Sequence, residues 1–169
     1  MAAPSDSFVI NRLMANQRVL FVCTGNTCRS PMAEALFRHA TQARSELKSA
    51  SAGVSAGHGS PASREACALL AESDIALSPH RSQPLSAKLV EEHDYFIAMT
   101  RSHRDMLVTL FPEIADQTFL LSDFASRPEE RGLDLSDPIG GPREDYVRVR
   151  DAIVSAIPGL LAFLDSPHS

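Results

Sequence analysis

The chain has 169 residues, enough for one domain that buries a core of useful size. Its formal net charge of −5 argues against a general nucleic-acid binder, which would be basic, and no apolar run reaches membrane-spanning length. Three cysteines are too few for a disulfide framework, and a thiol kept free for chemistry needs a reducing compartment, so a cytoplasmic protein is expected.

Residues 1–17 hold one short apolar patch, Phe8-Val9-Ile10, with no cleavage-like region after it, so a secretory signal is not expected. Met14 offers a second start, and the segment reads as a flexible extension, because termini stay loose unless tied down. Residues 18–169 then make a single domain. The stretch from Val19 to Pro31 is the most informative. Val19-Leu20-Phe21-Val22 is too short an apolar run for a helix and right for a strand buried on both faces. Cys23 ends that strand. Thr24, Gly25, Asn26, Thr27 and Cys28 follow as a tight turn, with Gly25 and Asn26 the types that accept positive φ most readily. Arg29 stands at the start of a helix for which Ser30 is a good N-cap and Pro31 a good first residue.

A loop wrapped at a helix N-terminus turns backbone N–H groups inward, and the helix dipole adds positive potential. The result is an anion cradle with a thiol at its floor. The helix end, the inward N–H groups and Arg29 all favour the thiolate, the nucleophilic form of Cys23. Arg29 offers a planar fork for two phosphate oxygens. A phosphoryl group held there presents its phosphorus to the sulfur for in-line attack, giving a phosphocysteine intermediate. A bare Cys-x5-Arg arises often by chance, but between a buried strand and a Ser-Pro helix start it is specific.

Downstream, Met32, Ala33, Leu36, Phe37 and Ala40 recur at helical spacing over Pro31–Arg44. A strand is expected over Lys48–Ala52, mainly from its place before Gly53, and the Gly-, Ser- and Ala-rich segment Gly53–Pro61 reads as a loop. Ser63–Glu72 is a short helix with Ala66, Leu69 and Leu70 inward and Cys67 as a small packed hydrophobe. Ser78-Pro79-His80-Arg81-Ser82 is a polar turn before a helix over Ser86–Glu92. Tyr95–Met99 is a second buried strand, Arg101–Leu110 a helix and Gln117–Leu121 the last strand. From Ser122 to Gly141 the chain holds Pro128, Gly132, Pro138 and Gly140-Gly141; a loop this long without regular structure is usually functional. The final helix runs over Arg143–Leu164 with Tyr146, Val149, Ile153 and Ala156 on one face, and Pro158-Gly159 is expected to kink or split it. Strands alternating with helices specify an α/β fold, a parallel sheet with helices on both faces and right-handed crossovers. Such sheets bind ligands beyond the carboxyl ends of their strands, where the Cys23 loop lies.

Phosphoryl transfer also needs a proton for the leaving group and later a base to activate water, and one carboxylic acid can do both in turn. Spacing alone does not choose among the acids. Asp137 is the best candidate, since loops in these sheets overhang the site and Pro138 stiffens the chain beside it; its plain alternative is a turn former before proline. Asp134 is the local competitor and reads as solvated, as do His93 and His103. No metal is expected, because no third and fourth ligand fall at metal spacing, and no cofactor is implied. Cys28 either packs in the loop or is a redox partner, a resolving thiol that captures an oxidised Cys23 as a disulfide.

Cys23-Thr24-Gly25-Asn26-Thr27-Cys28-Arg29-Ser30, followed by Pro31-Met32-Ala33-Glu34, resembles the active-site loop of the low-molecular-weight protein tyrosine phosphatase family. Within that family Thr27 is more similar to the bacterial protein arginine phosphatase branch. The likeness runs from about Arg18 to Leu164 and implies four strands in a doubly wound sheet. It implies a phosphorylated protein as substrate and inorganic phosphate as product; a monomer is expected. It strengthens Asp137 as the general acid, since family members carry one in an Asp-Pro pair here. It also implies that Asn26 holds a left-handed turn, that Ser30 hydrogen-bonds the thiolate, and that Ser51 and His80 join Asn26 in a polar network behind the loop.

Substrate choice turns on Thr27 and Ile139. Tyrosine-specific members usually carry a bulkier aliphatic residue where Thr27 offers a hydroxyl that accepts from guanidinium N–H groups. They also usually show aromatics after the Asp-Pro pair, whereas this chain has Ile139-Gly140-Gly141 and lacks that stacking surface. Ala98-Met99-Thr100 is likewise more similar to the arginine branch. Phosphoarginine is favoured over phosphotyrosine. An arsenate reductase would need shuttle cysteines, absent between His80 and Arg104, and a non-catalytic anion-binding module would have no use for the thiol.

Overall fold

The computed structural model describes residues 16–77 and 79–166. A flexible extension over residues 1–17 is therefore an expectation that lies outside the described residues, apart from Asn16 and Gln17. Gln17 opens the first strand, so the sheet begins one residue before the expected domain start.

Four parallel strands form one sheet in the order β2-β1-β3-β4, with β1 at Gln17–Cys23, β2 at Leu47–Gly53, β3 at Tyr95–Ala98 and β4 at Thr118–Leu120. Helix α1 spans Arg29–Ala40, α2 Arg64–Ala71, α3 Ala87–Glu91, α4 Arg101–Leu110 and α5 Arg143–Asp165. The alternation of side chains along β1 splits the core in two. Val19, Phe21 and Cys23 join Met32 and Phe37 of α1, Leu69 of α2 and Ile153 and Leu160 of α5. Leu20 and Val22 join Phe96 and Ala98 of β3, Val90 of α3 and Leu107 of α4 on the other face. Both faces of β1 are thus covered, which is why its four apolar residues run without a polar break. Registers Cys23↔Gly53 and Val22↔Ala98 bring the carboxyl ends of three strands together beneath the loop that follows Cys23.

The ends of elements follow local chemistry. Ser63, Ser86 and Thr100 cap α2, α3 and α4 by accepting from Ala66 N, Leu89 N and His103 N. Helix α1 departs from expectation. It starts at Arg29, its N-cap residue is Cys28 and no side chain caps it. Ser30 therefore sits inside the first turn, past the capping position, where its hydroxyl lies 2.9 Å from the Cys23 sulfur. Strand β4 is shorter than expected, flanked by 3-10 turns at Pro112–Gln117 and Leu121–Phe124, and a third turn at Pro128–Glu130 breaks the long segment read as irregular.

Helix α5 corrects one half of the expectation, the split. Pro158 and Gly159 lie inside it and the helix runs unsplit through both. Buried Ile153, Ala156, Ile157, Leu160 and Leu164 anchor it before and after the pair, so packing outweighs the loss of one backbone bond at proline. Gly159 has its own reason: a Cβ there would collide with the Phe124 carbonyl, so the missing side chain lets the 3-10 turn after β4 seat directly on the helix. The ring of Phe124 packs beside Phe163, centroids 5.3 Å apart, and Phe163 beside Phe119 at 4.9 Å. Gly159→Ala is expected to destabilise the protein by about 1–3 kcal/mol, the range for overpacking a tight contact, read as a lower urea midpoint with unchanged slope.

Candidate active site

Cys23 is the last residue of β1 and is buried, 2% exposed. Its sulfur lies 2.9 Å from Ser30 Oγ, and the main-chain N–H of Asn26 donates to it at 3.3 Å. Ser30 Oγ also accepts from Asn26 Nδ2 at 2.9 Å. The Ser30 hydroxyl also reaches the Ala52 carbonyl at 3.5 Å, and the sulfur is the nearer of the two.

The loop between Cys23 and Arg29 is held from outside by its carbonyls. Val54 N donates to Cys23 O at 2.9 Å, Ser55 N to Thr24 O at 3.0 Å and Ser63 N to Thr27 O at 2.9 Å, while His80 Nε2 lies 2.8 Å from Asn26 O. In a trans peptide the carbonyl of one residue and the N–H of the next point in opposite directions. The amides of Thr24, Gly25, Thr27 and Cys28 therefore face away from this collar, to the inside of the loop where Asn26 N–H already meets the sulfur. Asn26 takes φ 56°, which its type tolerates, and is completely buried. Its Oδ1 accepts from Gln83 N at 3.0 Å. Gly53 lies so close that a Cβ would meet the Thr24 carbonyl and Ala56.

Of the supporting residues, His80 reaches Asn26 directly, through the main-chain carbonyl. Ser51 does not. Its hydroxyl donates to Glu34 Oε2 at 2.6 Å, and it meets the network only through Gln83, whose Nε2 donates to Ser51 O at 2.9 Å. Gln83 and Glu34 were not singled out from the sequence as network members, and nothing local in the sequence marks Gln83.

Arg29 is 5% exposed, in the first turn of α1. Its Nη1 donates to Leu135 O at 2.9 Å, its Nη2 to Thr24 Oγ1 at 3.4 Å, and Nη2 lies 3.5 Å from Asp137 Oδ2. A backbone carbonyl partner such as Leu135 leaves no trace in the sequence. Leu135 N is in turn bonded to Met99 O at 2.9 Å, and Asp134 Oδ1 accepts from Arg101 N at 2.8 Å, so two anchors pin residues 134–137 to the β3–α4 junction. Asp134 is exposed but tethered by this bond, and Arg101 holds its carboxyl below the usual range, through the backbone bond first. Asp137 is exposed, its Oδ1 accepting from Ile139 N, with Pro138 buried beside it and Ile139 60% exposed. A groove of about 990 Å³ runs from Asp137 and Pro138 along α5, past Leu133, Val149 and Val154. Thr27 is half-buried, its Oγ1 3.9 Å from Cys28 Sγ.

Cys28 turns toward α5, its sulfur 3.9 Å from Tyr146 Oη, and all three cysteines are unpaired. Burial pushes the Tyr146 phenol up to about 12, against the pull of a hydrogen bond with Ser63. Among the described residues no group of three or more His, Cys, Asp or Glu side chains is placed to hold a metal, and no helix is long and apolar enough to cross a membrane.

His103 corrects the reading of a solvated side chain. It is 5% exposed, and its Nε2 lies 2.8 Å from Thr24 Oγ1. The available signal was its place in the first turn of α4, which starts where β3 ends beside β1. Burial lowers its pKa to about 4, the Arg29 charge acts the same way, and Asp134 and Asp137 oppose them. Above pH 6.5 the ring is neutral folded or unfolded. Between 6.5 and about 4 the unfolded chain takes up a proton that the folded one refuses, so stability falls with pH and the loss is complete below about 4. Wild type is expected to lose about 2–3 kcal/mol more than His103→Gln between pH 7 and 4, since each tenfold change in proton affinity is worth about 1.4 kcal/mol before solvent screening trims it. Equal losses in urea unfolding at the two pH values would acquit His103.

A low molecular weight phosphotyrosine protein phosphatase model matches residues 18–168. The protein-arginine-phosphatase of Geobacillus stearothermophilus is 45% identical over 140 residues, 83% of this chain and 90% of the relative. The low molecular weight protein-tyrosine phosphatase A of Mycobacterium bovis is 36% identical over 154 residues, 87% and 91% of the two chains. Among solved structures, a YwlE arginine phosphatase whose active-site cysteine is replaced by a phosphorylated serine superposes with a TM-score of 0.81 at 35% identity, covering 90% of this chain and 98% of that one. The chain belongs to the low molecular weight phosphotyrosine protein phosphatase family and is a cysteine-dependent protein phosphatase.

Proposed function

We infer that this phosphatase hydrolyses phosphoarginine in proteins in preference to phosphotyrosine, with Cys23 as nucleophile, Arg29 as phosphoryl clamp and Asp137 as acid and base. The observation that carries the reading is that Asn26 N–H meets the Cys23 sulfur while Arg29 Nη2 reaches both Thr24 of the same loop and Asp137. The Cys23 thiolate attacks phosphorus in line and the bond from phosphorus to the guanidine nitrogen breaks. The leaving nitrogen takes the proton of Asp137. Asp137, now a carboxylate, deprotonates a water that attacks the same phosphorus from the vacated side. The phosphorus–sulfur bond breaks, the Ser30 hydroxyl donates to the departing sulfur, and inorganic phosphate leaves. Thr24, Gly25, Thr27 and Cys28 supply amides to the phosphoryl oxygens throughout.

Preference for phosphoarginine is supported by the arginine-phosphatase relatives and by two side chains. Thr27 places a hydroxyl in the loop wall, able to accept from a guanidinium. Ile139, largely exposed beyond Asp137, gives a guanidinium room where an aromatic ring would sandwich a phenol. We extend the reading to a monomer working in the reducing cytoplasm, in keeping with three unpaired cysteines. Cys28 is the resolving thiol in this scheme: peroxide oxidises Cys23 to a sulfenic acid, and the Cys28 thiol displaces water from it to form a disulfide.

Cys23→Ser is expected to abolish turnover while keeping phosphate binding, and Asp137→Asn to lower kcat by about 10²–10⁴ on a phosphoarginine peptide. Thr27→Ile should cut kcat/KM on that peptide at least about ten-fold relative to a phosphotyrosine peptide. Higher efficiency on phosphotyrosine, unchanged by Thr27→Ile, would refute the arginine preference. After excess peroxide, a thiol reductant should restore activity to wild type but not to Cys28→Ser, in which peroxide carries the unprotected Cys23 sulfenic acid on to the sulfinic acid.

A further inference from the structure

His103 is a buried imidazole that the phosphoryl-transfer steps do not use. Thr100 Oγ1 accepts from its main-chain N–H at 3.2 Å and fixes it in the first turn of α4, with the ring reaching the loop after β1. Nε2 lies 2.8 Å from Thr24 Oγ1, the oxygen that also receives Arg29 Nη2 at 3.4 Å. Nδ1 is buried without a hydrogen-bond partner.

A neutral imidazole carries its proton on one nitrogen, and the surroundings select which. A proton on Nδ1 would strand a buried N–H donor with no acceptor, which folded proteins rarely tolerate. A proton on Nε2 strands only an acceptor, the milder case, and Nε2–H then donates to Thr24. Thr24 Oγ1 would accept two hydrogen bonds, one from His103 and one from Arg29, filling both lone pairs. Its own hydrogen is then free. Thr24 is exposed at the mouth of the cradle, where a phosphoryl oxygen is the natural acceptor.

We propose that His103 is a positioning residue that turns Thr24 into an oxyanion donor: with Arg29 it saturates the Thr24 oxygen and directs the Thr24 hydrogen at a bound phosphoryl group. The loop then offers one side-chain donor beyond its backbone amides and Arg29. The inference rests on the phosphoryl-binding reading of the loop and is independent of which phosphorylated side chain is the substrate.

The test measures inorganic phosphate binding by titration calorimetry in a Cys23→Ser background, so that turnover plays no part. His103→Phe and Thr24→Val are each expected to weaken phosphate about ten-fold. Combining them should weaken it no further than the worse of the two, since both remove one donor, and Thr24→Ser should bind within two-fold of the parent. Losses that multiply in the double variant, or Thr24→Val binding within two-fold of the parent, would overturn the proposal. Long-range ¹H–¹⁵N spectra of the unaltered protein at pH 7 should show the His103 proton on Nε2. A proton on Nδ1 overturns the proposal even if His103→Phe does not fold. Absence of phosphate binding in the parent itself would sink the reading of the loop along with it, and is recognised before any change at His103 is made.

Discussion

The 2.9 Å contact between the Cys23 sulfur and the Ser30 hydroxyl governs the arrangement of everything near it. A buried sulfur destined to bear charge must be met by donors, and among the described residues Ser30 Oγ and Asn26 N–H reach it. Helix α1 begins at Arg29 behind the N-cap residue Cys28, so no side chain caps the N–H groups of Arg29 and Ser30. Binding Asn26 to Ser30 and to Gln83 N forces Asn26 into the left-handed region, and that reversal curls the loop around its own interior. An uncapped helix start is where backbone N–H groups and the helix dipole favour an anion.

The guanidinium of Arg29 sets the second condition. A buried cation needs partners, and its partners here are a main-chain carbonyl, a threonine hydroxyl and one carboxylate oxygen at 3.5 Å. None is a close bidentate match, so the fork retains capacity for an oxyanion. Leu135, which accepts from it, is itself fixed to Met99 at the end of β3. The segment bearing Asp137 is thus gauged against the same sheet edge that carries Cys23, and thiol, fork and acid share one rigid reference.

The parts of this legible in the sequence were those encoded by residue type in series. Four apolar residues before Cys23 announced a doubly covered strand, and Asn26 announced the reversal, whereas Gly25 takes no positive φ. Asp137-Pro138 needed family likeness as well as residue chemistry. What stayed hidden was encoded by main-chain atoms or by register. The Leu135 carbonyl has no side-chain signature, and Gln83 enters through its backbone N–H and a carbonyl of β2. Ser30 looked like a cap because serine caps helices; that α1 starts one residue before it, and that its hydroxyl meets a sulfur seven residues back, are tertiary facts. His103 looked solvated because its place in the first turn of α4 points to the loop after β1 only once β3 is paired beside β1. Pro158-Gly159 suggested a break, but buried neighbours hold the helix through it.

The collar around the loop has an implication for how this protein tolerates change. Three of its four struts are main-chain N–H groups, from Val54, Ser55 and Ser63, in a stretch whose side chains mostly face solvent. Only His80 lends a ring. Provided the path past Gly53 is kept, Ser63 still caps α2 and Gly59 keeps its left-handed φ of 84°, the exposed side chains between Ser55 and Pro61 can change without touching these struts. A lineage could restyle this rim for new protein clients, while the chemistry beneath it stayed as it is.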